Sequence, residues 1–249
     1  TFDKTLTLQN GIGLYISTEQ EAAAYAAFAN GGTYYKPYLV SKVVTQDGKA
    51  HNYSSQGKRA MSAATAFMLT DMMKDVMTNE NGSGRSAAIS GLYQAGKTGT
   101  DSYPDDYADK VPDGATMDSW FTGYTKNYAV SVWTGYDKQF QTGHYVSETE
   151  TKIAQEIYKY EMTYLASKKV NSDWTQPSTV TKTTVNNTTE YYVTGHPGTV
   201  SDATTTDSTS MSQYGSTNTT SSSAYSSNNQ VTTSSSSARA SSSTTESST

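Results

Sequence analysis

Apolar residues fall into a few periodic stretches separated by polar, glycine-containing segments. The first is an Ala-rich run, residues 19–29, in which Tyr25 and Phe28 are the only bulky side chains. Thr18 and Glu21 have the spacing of a capping box, and Asn30-Gly31-Gly32 is a stop signal. This predicts a helix able to pack closely on its neighbours. "YLVSKVVTQDGKAHNY", 38–53, predicts a hairpin turning at Asp47-Gly48. Ser62 can cap a second helix, where Leu69, Met72, Met73 and Val76 recur at helical spacing before Asn79 to Gly84 ends it. The methionines of that stripe read as core filler, since an unbranched thioether adapts to irregular gaps.

Three strand patterns follow: one containing Leu92 to Thr100, then "DSWFTGYT" (118–125) and "YAVSVWTGY" (128–136). The last two are joined by a tight turn at Lys126-Asn127, which predicts an antiparallel hairpin. Between them and the first strand, residues 101–117 form a long acidic segment that predicts a mobile loop. A last helix is predicted from Ser147, with Glu150 completing a capping box. Ile153, Ala154, Ile157, Tyr158, Tyr164 and Leu165 share one broad face, which Glu161 interrupts. The order of elements predicts an α+β fold, an antiparallel sheet covered by helices.

Composition divides the chain of 249 residues. From about Thr199 onward Ser and Thr dominate and apolar residues almost vanish, so 199–249 cannot bury enough surface to offset chain entropy and is predicted to be disordered. Residues 169–198 are intermediate and predicted as a linker, leaving 1–168 as the folding unit. The net charge of −5, without long Lys/Arg clusters, argues against a nucleic-acid partner. The chain has no cysteine, which excludes a disulfide framework and thiolate metal sites. The apolar run "AAAYAAFA" is too short to cross a bilayer. Thr1 is not an initiator methionine and no leader-like segment follows it, so we expect a C-terminal fragment whose membrane anchor lies upstream.

The chemistry-bearing stretch is "GKTGT", 96–100. On a strand beside a cleft, Lys97 supplies a positive charge that can hold an anion or tune a neighbouring hydroxyl. Gly99 lets a substrate backbone lie against the strand. Thr98 and Thr100 present hydroxyls to one side and suit a carboxylate. Backbone N–H groups of the strand could complete an oxyanion hole. The competing reading is an ordinary polar strand end, and K-T-G alone is too short to decide.

The combination is more specific. "AYAAFANGGTYYKP", a Met-rich helix, "AGKTGT" and "DSWFTGYTKNYAVSVWTGYD" together resemble the C-terminal half of the transpeptidase domain of class A penicillin-binding proteins, over about residues 8–165. The Ser/Thr-rich end resembles the low-complexity ends of such proteins in Gram-positive bacteria. The resemblance implies a penicillin-binding/β-lactamase-like fold, incomplete here, and a bifunctional glycosyltransferase/transpeptidase on the outer face of the membrane. It implies peptidoglycan stem peptides ending in D-Ala-D-Ala as substrates, β-lactams as inhibitors and no cofactor. By the same resemblance Lys97 is catalytic, and Thr98, Gly99 and Thr100 bind substrate, with the N–H of Thr100 in the oxyanion hole.

The family's nucleophile lies in S-x-x-K, followed by S-x-N, both before K-T-G. Ser55-Gln56-Gly57-Lys58 matches the first only formally, in a polar hairpin end with an internal glycine, and Ser226-Ser227-Asn228 falls after K-T-G. The nucleophile is therefore expected outside this chain. His51, His144 and His196 lack partner spacing for a metal or a triad. Asp105, Asp106, Asp109 and Asp113 lack that of a calcium loop. Two other readings remain open: a non-catalytic wall-binding module on a Ser/Thr stalk, and a stand-alone serine hydrolase of the β-lactamase type. The W-F-x-G-Y-T and V-W-T-G-Y blocks favour the penicillin-binding reading over the latter.

Overall fold

The computed structural model describes residues 15–185 and 187–196. The predicted disordered segment, 199–249, lies outside the described residues. The elements in order are α1 (Thr18–Ala29), β1 (Thr33–Tyr35), β2 (Lys42–Val44), β3 (Ala50–Asn52), β4 (Gly57–Arg59), α2 (Ala63–Thr78), β5 (Ala95–Ser102), α3 (Asp105–Ala108), β6 (Thr116–Tyr124), β7 (Ala129–Gly135), α4 (Ile153–Ala166), β8 (Val180–Val185) and β9 (Thr188–Val193). This is an α+β fold with antiparallel sheets packed by helices, as the pattern predicted.

The capping box of α1 sits one residue earlier than expected. Ser17 Oγ accepts from the Gln20 N–H at 3.2 Å, and Gln20 Oε1 accepts from the Ser17 N–H at 3.0 Å. Glu21 is thereby released from capping and turns to the sheet, where it meets the hydroxyls of Thr122 and Ser131. Strands β2 and β3 form the predicted hairpin around Asp47-Gly48, while β1 pairs with β4.

The central sheet has the order β5-β6-β7, antiparallel throughout. Cross-strand partners share a face. Thr98, Phe121 and Val132 form one row on the side where α4 packs; Lys97, Thr122 and Ser131 form a row on the other. On the α4 side, Phe121 and Tyr158 meet edge to face at 4.8 Å within a cluster with Met77, Ala87, Ala154 and Met162. On the opposite side Tyr25 and Phe28 of α1 surround Tyr124, whose hydroxyl pairs with Thr70 of α2 at 2.9 Å.

Both long helices bury narrower faces than their periodicity suggested. Ser62 caps α2 as expected, but Ala64, Ala66, Phe67, Thr70 and Met77 are its buried residues, and Met72 is 59% exposed. The face shifts because α2 is covered on one side by the sheet and on another by the C-terminal hairpin, where Phe67 meets Tyr191 at 5.2 Å. In α4 the buried residues are Ala154, Gln155, Tyr158 and Met162, whereas Ile153, Ile157 and Tyr164 are exposed. Glu150 accepts from the N–H and hydroxyl of Ser147, but that hydroxyl returns no bond to the helix. A 3-10 turn, Glu150–Lys152, intervenes before α4 begins.

Two segments carry more structure than their composition suggested. The expected linker, 169–198, holds the β8–β9 hairpin, and Val180, Tyr191 and Val193 bury against Ala64 and Phe67. Its first residues are stitched to the body: the Asn171 amide exchanges hydrogen bonds with Tyr93 N–H and C=O at 2.7 and 3.2 Å, and Lys74 pairs with Asp173 at 2.6 Å. The expected mobile loop, 101–117, begins as a continuation of β5 and contains α3. There the Tyr103 hydroxyl lies 2.8 and 2.7 Å from the carbonyl oxygens of Gln139 and His144, which share its one proton, and its ring joins Tyr107 and Phe140 in an aromatic cluster. Spaced aromatics, easily read as loop residues, anchor it.

Candidate active site

The sequence-selected residues all stand on β5, which pairs with β6 on one side and has no strand on its other side among the described residues. Alternation places Lys97 and Gly99 on one face and Thr98 and Thr100 on the other. The Lys97 ammonium nevertheless curls around the open edge, donating to the Thr98 carbonyl at 2.9 Å and lying 3.4 Å from Thr98 Oγ1. Charge, hydroxyl and an outward main-chain edge thus meet within one residue of each other. Lys97 and Thr100 are exposed, as an approaching ligand requires, while Thr98 and Gly99 are partly buried.

Beneath the strand, Gly99 lies opposite Trp120, which lies opposite Trp133. Both indole N–H groups donate to Asp118 Oδ2, at 3.3 and 3.2 Å. A Cβ at position 99 would meet Trp120 Cβ at 3.2 Å, so glycine keeps this face of the strand low. Asp101 faces Asp118 across the strands, and its carboxyl is pushed up by burial and by the Asp118 charge. The register then slips between Asp101 and Ser102, where the regular ladder of β5 ends.

Two contributors lay beyond sequence reasoning. Ser83, in the turn after α2, bonds Thr98 hydroxyl to hydroxyl at 2.8 Å; as sequence it was only part of a helix-stopping segment. Asp118 was simply the first residue of a strand pattern. The formal S-x-x-K match fails structurally, since Gly57 and Lys58 belong to β4 and no helical turn stacks Ser55 on Lys58. His144 stacks on Tyr136 at 4.7 Å, and His51 is an exposed strand residue. Among the described residues no cluster of three or more His, Cys, Asp or Glu could hold a metal ion, and no helix is long and apolar enough to cross a membrane.

Residues 4–159 match the family described as the penicillin-binding protein transpeptidase domain. The chain belongs to that family. The transpeptidase match takes in the whole β5–β7 sheet and ends inside α4, before the C-terminal hairpin. Among transpeptidase-domain relatives, penicillin-binding protein 1A of Streptococcus pneumoniae is 44% identical over 164 residues, covering 65% of this chain and 22% of that protein. Penicillin-binding protein 1A/1B of Bacillus subtilis is 39% identical over 139 residues, 55% of this chain and 15% of that protein. The chain therefore spans less than a quarter of the length of either. A solved structure of the PonA1 protein of Mycobacterium tuberculosis, in complex with penicillin V, is 28% identical with a TM-score of 0.51, covering 64% of this chain and 40% of that one.

Proposed function

We propose that this chain is the C-terminal part of the transpeptidase domain of a class A, bifunctional penicillin-binding protein, working on the cell-wall side of the membrane of a Gram-positive bacterium. In this reading residues 96–100 form one wall of the active site, and the nucleophilic serine and the S-x-N residues come from upstream. The serine Oγ attacks the penultimate D-Ala carbonyl of a stem peptide ending in D-Ala-D-Ala. The C–N bond breaks, the terminal D-Ala leaves as its amine, and an acyl-serine remains. An amine of a neighbouring stem peptide then attacks the ester carbonyl, making the cross-link and returning the serine. A β-lactam follows the first half of this path and leaves the serine acylated.

Each residue has a separable role. Lys97 places positive charge beside the reacting groups and favours the deprotonated serine and the ligand's carboxylate. Thr98 and Thr100 donate hydroxyl hydrogen bonds to that carboxylate. Gly99 admits the ligand backbone, and the N–H of Thr100 helps stabilise the tetrahedral oxyanion. The observation that carries the reading is the open edge of β5, with the Lys97 ammonium folded over it within 3.4 Å of Thr98 Oγ1. An extended peptide can add to such an edge as a further strand, with its terminal carboxylate at the cation.

The test uses the full-length protein. Lys97→Ala removes a charge-assisted contact worth roughly 2–4 kcal/mol at a reacting centre, so the second-order rate of acylation by penicillin should fall about 30- to 1000-fold. The melting temperature should barely move, since Lys97 is exposed. Thr100→Val should mainly weaken ligands that bear a carboxylate. Near-normal acylation by folded Lys97→Ala protein would refute the assignment of this strand.

A further inference from the structure

Among the described residues, one side chain from another element hydrogen-bonds a side chain of the K-T-G-T strand. Ser83 lies in the turn between α2 and the 3-10 turn Arg85–Ala87, and its Oγ is 2.8 Å from Thr98 Oγ1. The main chain there is held from two directions. The Gly84 N–H donates to the Val76 carbonyl at 2.9 Å. The Ser83 carbonyl accepts from Gln155 Nε2 at 3.0 Å, and Gln155, only 2% exposed, is fixed within the buried face of α4. The Ser83 hydroxyl is exposed, but its position is set by the core.

A hydroxyl donates one proton and accepts up to two. The Lys97 ammonium near Thr98 Oγ1 has protons to give and no lone pair to offer. The Thr98 proton therefore has two outlets, Ser83 Oγ or a group lying on the open edge of β5. Once a carboxylate occupies that edge, the Thr98 proton turns to it, and Ser83 becomes the donor to Thr98. Hydrogen bonds linked in this way polarise one another. We propose that Ser83 is a positioning residue for carboxylate recognition, donating to Thr98 Oγ1 so that the Thr98 hydroxyl is presented to the carboxylate of an incoming ligand. The inference rests on the reading of residues 97–100 as the carboxylate-binding wall, and it adds a residue from the α2–β5 connection to that wall.

The experiment compares acylation of the full-length protein by a penicillin and by its methyl ester, which keeps the reacting ring and removes the carboxylate charge. The wild-type protein should prefer the acid. Ser83→Ala should lower the second-order rate for the acid about three- to tenfold, the effect of one neutral hydrogen bond, and leave the ester rate unchanged. Ser83→Thr and Ser83→Val differ from each other only in having or lacking a hydroxyl, so the threonine variant should keep the preference for the acid and the valine variant lose part of it, even if the turn loosens in both. In a Thr98→Val background, Ser83→Ala should have no further effect. Equal losses for acid and ester, or equal rates for the threonine and valine variants, would overturn the role of Ser83 alone. A wild-type protein indifferent to esterification would overturn the carboxylate wall and, with it, this inference.

Discussion

Replacing Gly123 with alanine tests how the sheet is held to α4. Gly123 is the next-to-last residue of β6, paired with Gly96 of β5 on one side and Val130 of β7 on the other, with its Cα facing the ring of Tyr158. A Cβ there would lie 2.6 Å from Tyr158 Cε2 and Cζ and 2.8 Å from its hydroxyl oxygen. The strand cannot retreat, since it is paired on both sides, so the ring must tilt. Tyr158 is fully buried against Phe121, and its hydroxyl donates to Gln94 Oε1 at 3.3 Å. Overpacking of this kind costs about 1–3 kcal/mol, and losing the phenol–amide bond adds about 1 kcal/mol. For a folded unit of this size a total of about 2–4 kcal/mol corresponds to a fall in melting temperature of roughly 4–16 °C. Thermal denaturation of the 249-residue chain, followed by circular dichroism, reads this directly. In a Tyr158→Leu background the ring is gone, and the added methyl should cost less than about 1 kcal/mol. A Gly123→Ala protein melting within about 2 °C of wild type, or an equal loss in both backgrounds, would refute the close approach of ring and strand.

Two further outcomes are expected. Thr70→Val or Tyr124→Phe alone strands one hydroxyl of a buried pair and should destabilise by about 1–3 kcal/mol in urea titrations, while the double variant should lose less than the sum; strict additivity would show that the two hydroxyls are not partners. Burial raises the carboxyl of Glu21 against the lowering effect of Thr122 and Ser131, so its contribution is fully present below the ordinary carboxylate range and is lost as pH rises through the raised folded value. Glu21→Gln should therefore raise the melting temperature at neutral pH, with the gain shrinking toward pH about 4; a gain independent of pH would rule out the desolvated charge as its cause.

The antiparallel strands and the placing of residues 96–100 together on one of them were legible because their signals are local: alternation in 128–136, a tight turn at Lys126-Asn127, and an ammonium and hydroxyls adjacent in sequence. The helix faces were less legible. Periodicity reports which residues are apolar, but Ile153 and Ile157 are exposed and Gln155 is buried because one narrow stripe of α4 meets the sheet. The C-terminal hairpin was hidden for the opposite reason. Its strands are rich in Thr, with a Lys and a Glu among them, and the few side chains that fix it, Val180, Tyr191 and Val193, find their apolar partners about 115 to 130 residues earlier on α2. Ser83 belongs to the same class: the interaction that gives it meaning spans 15 residues and exists only once α2 and β5 are packed.

The open edge of β5 has a consequence for how the protein behaves in a crowd of its own copies. A strand edge able to receive an extended peptide can equally receive a second strand of the same kind, and unprotected edges seed sheet-to-sheet aggregation. Here the Lys97 ammonium occupies the outward Thr98 carbonyl, Asp101 adds a charge near the end of the strand, and the register slip after it breaks the flat template. Pairing two such edges would require displacing an ammonium from its acceptor on each. If the proposed function holds, one lysine is both a gatekeeper against self-pairing and a recognition group for the ligand.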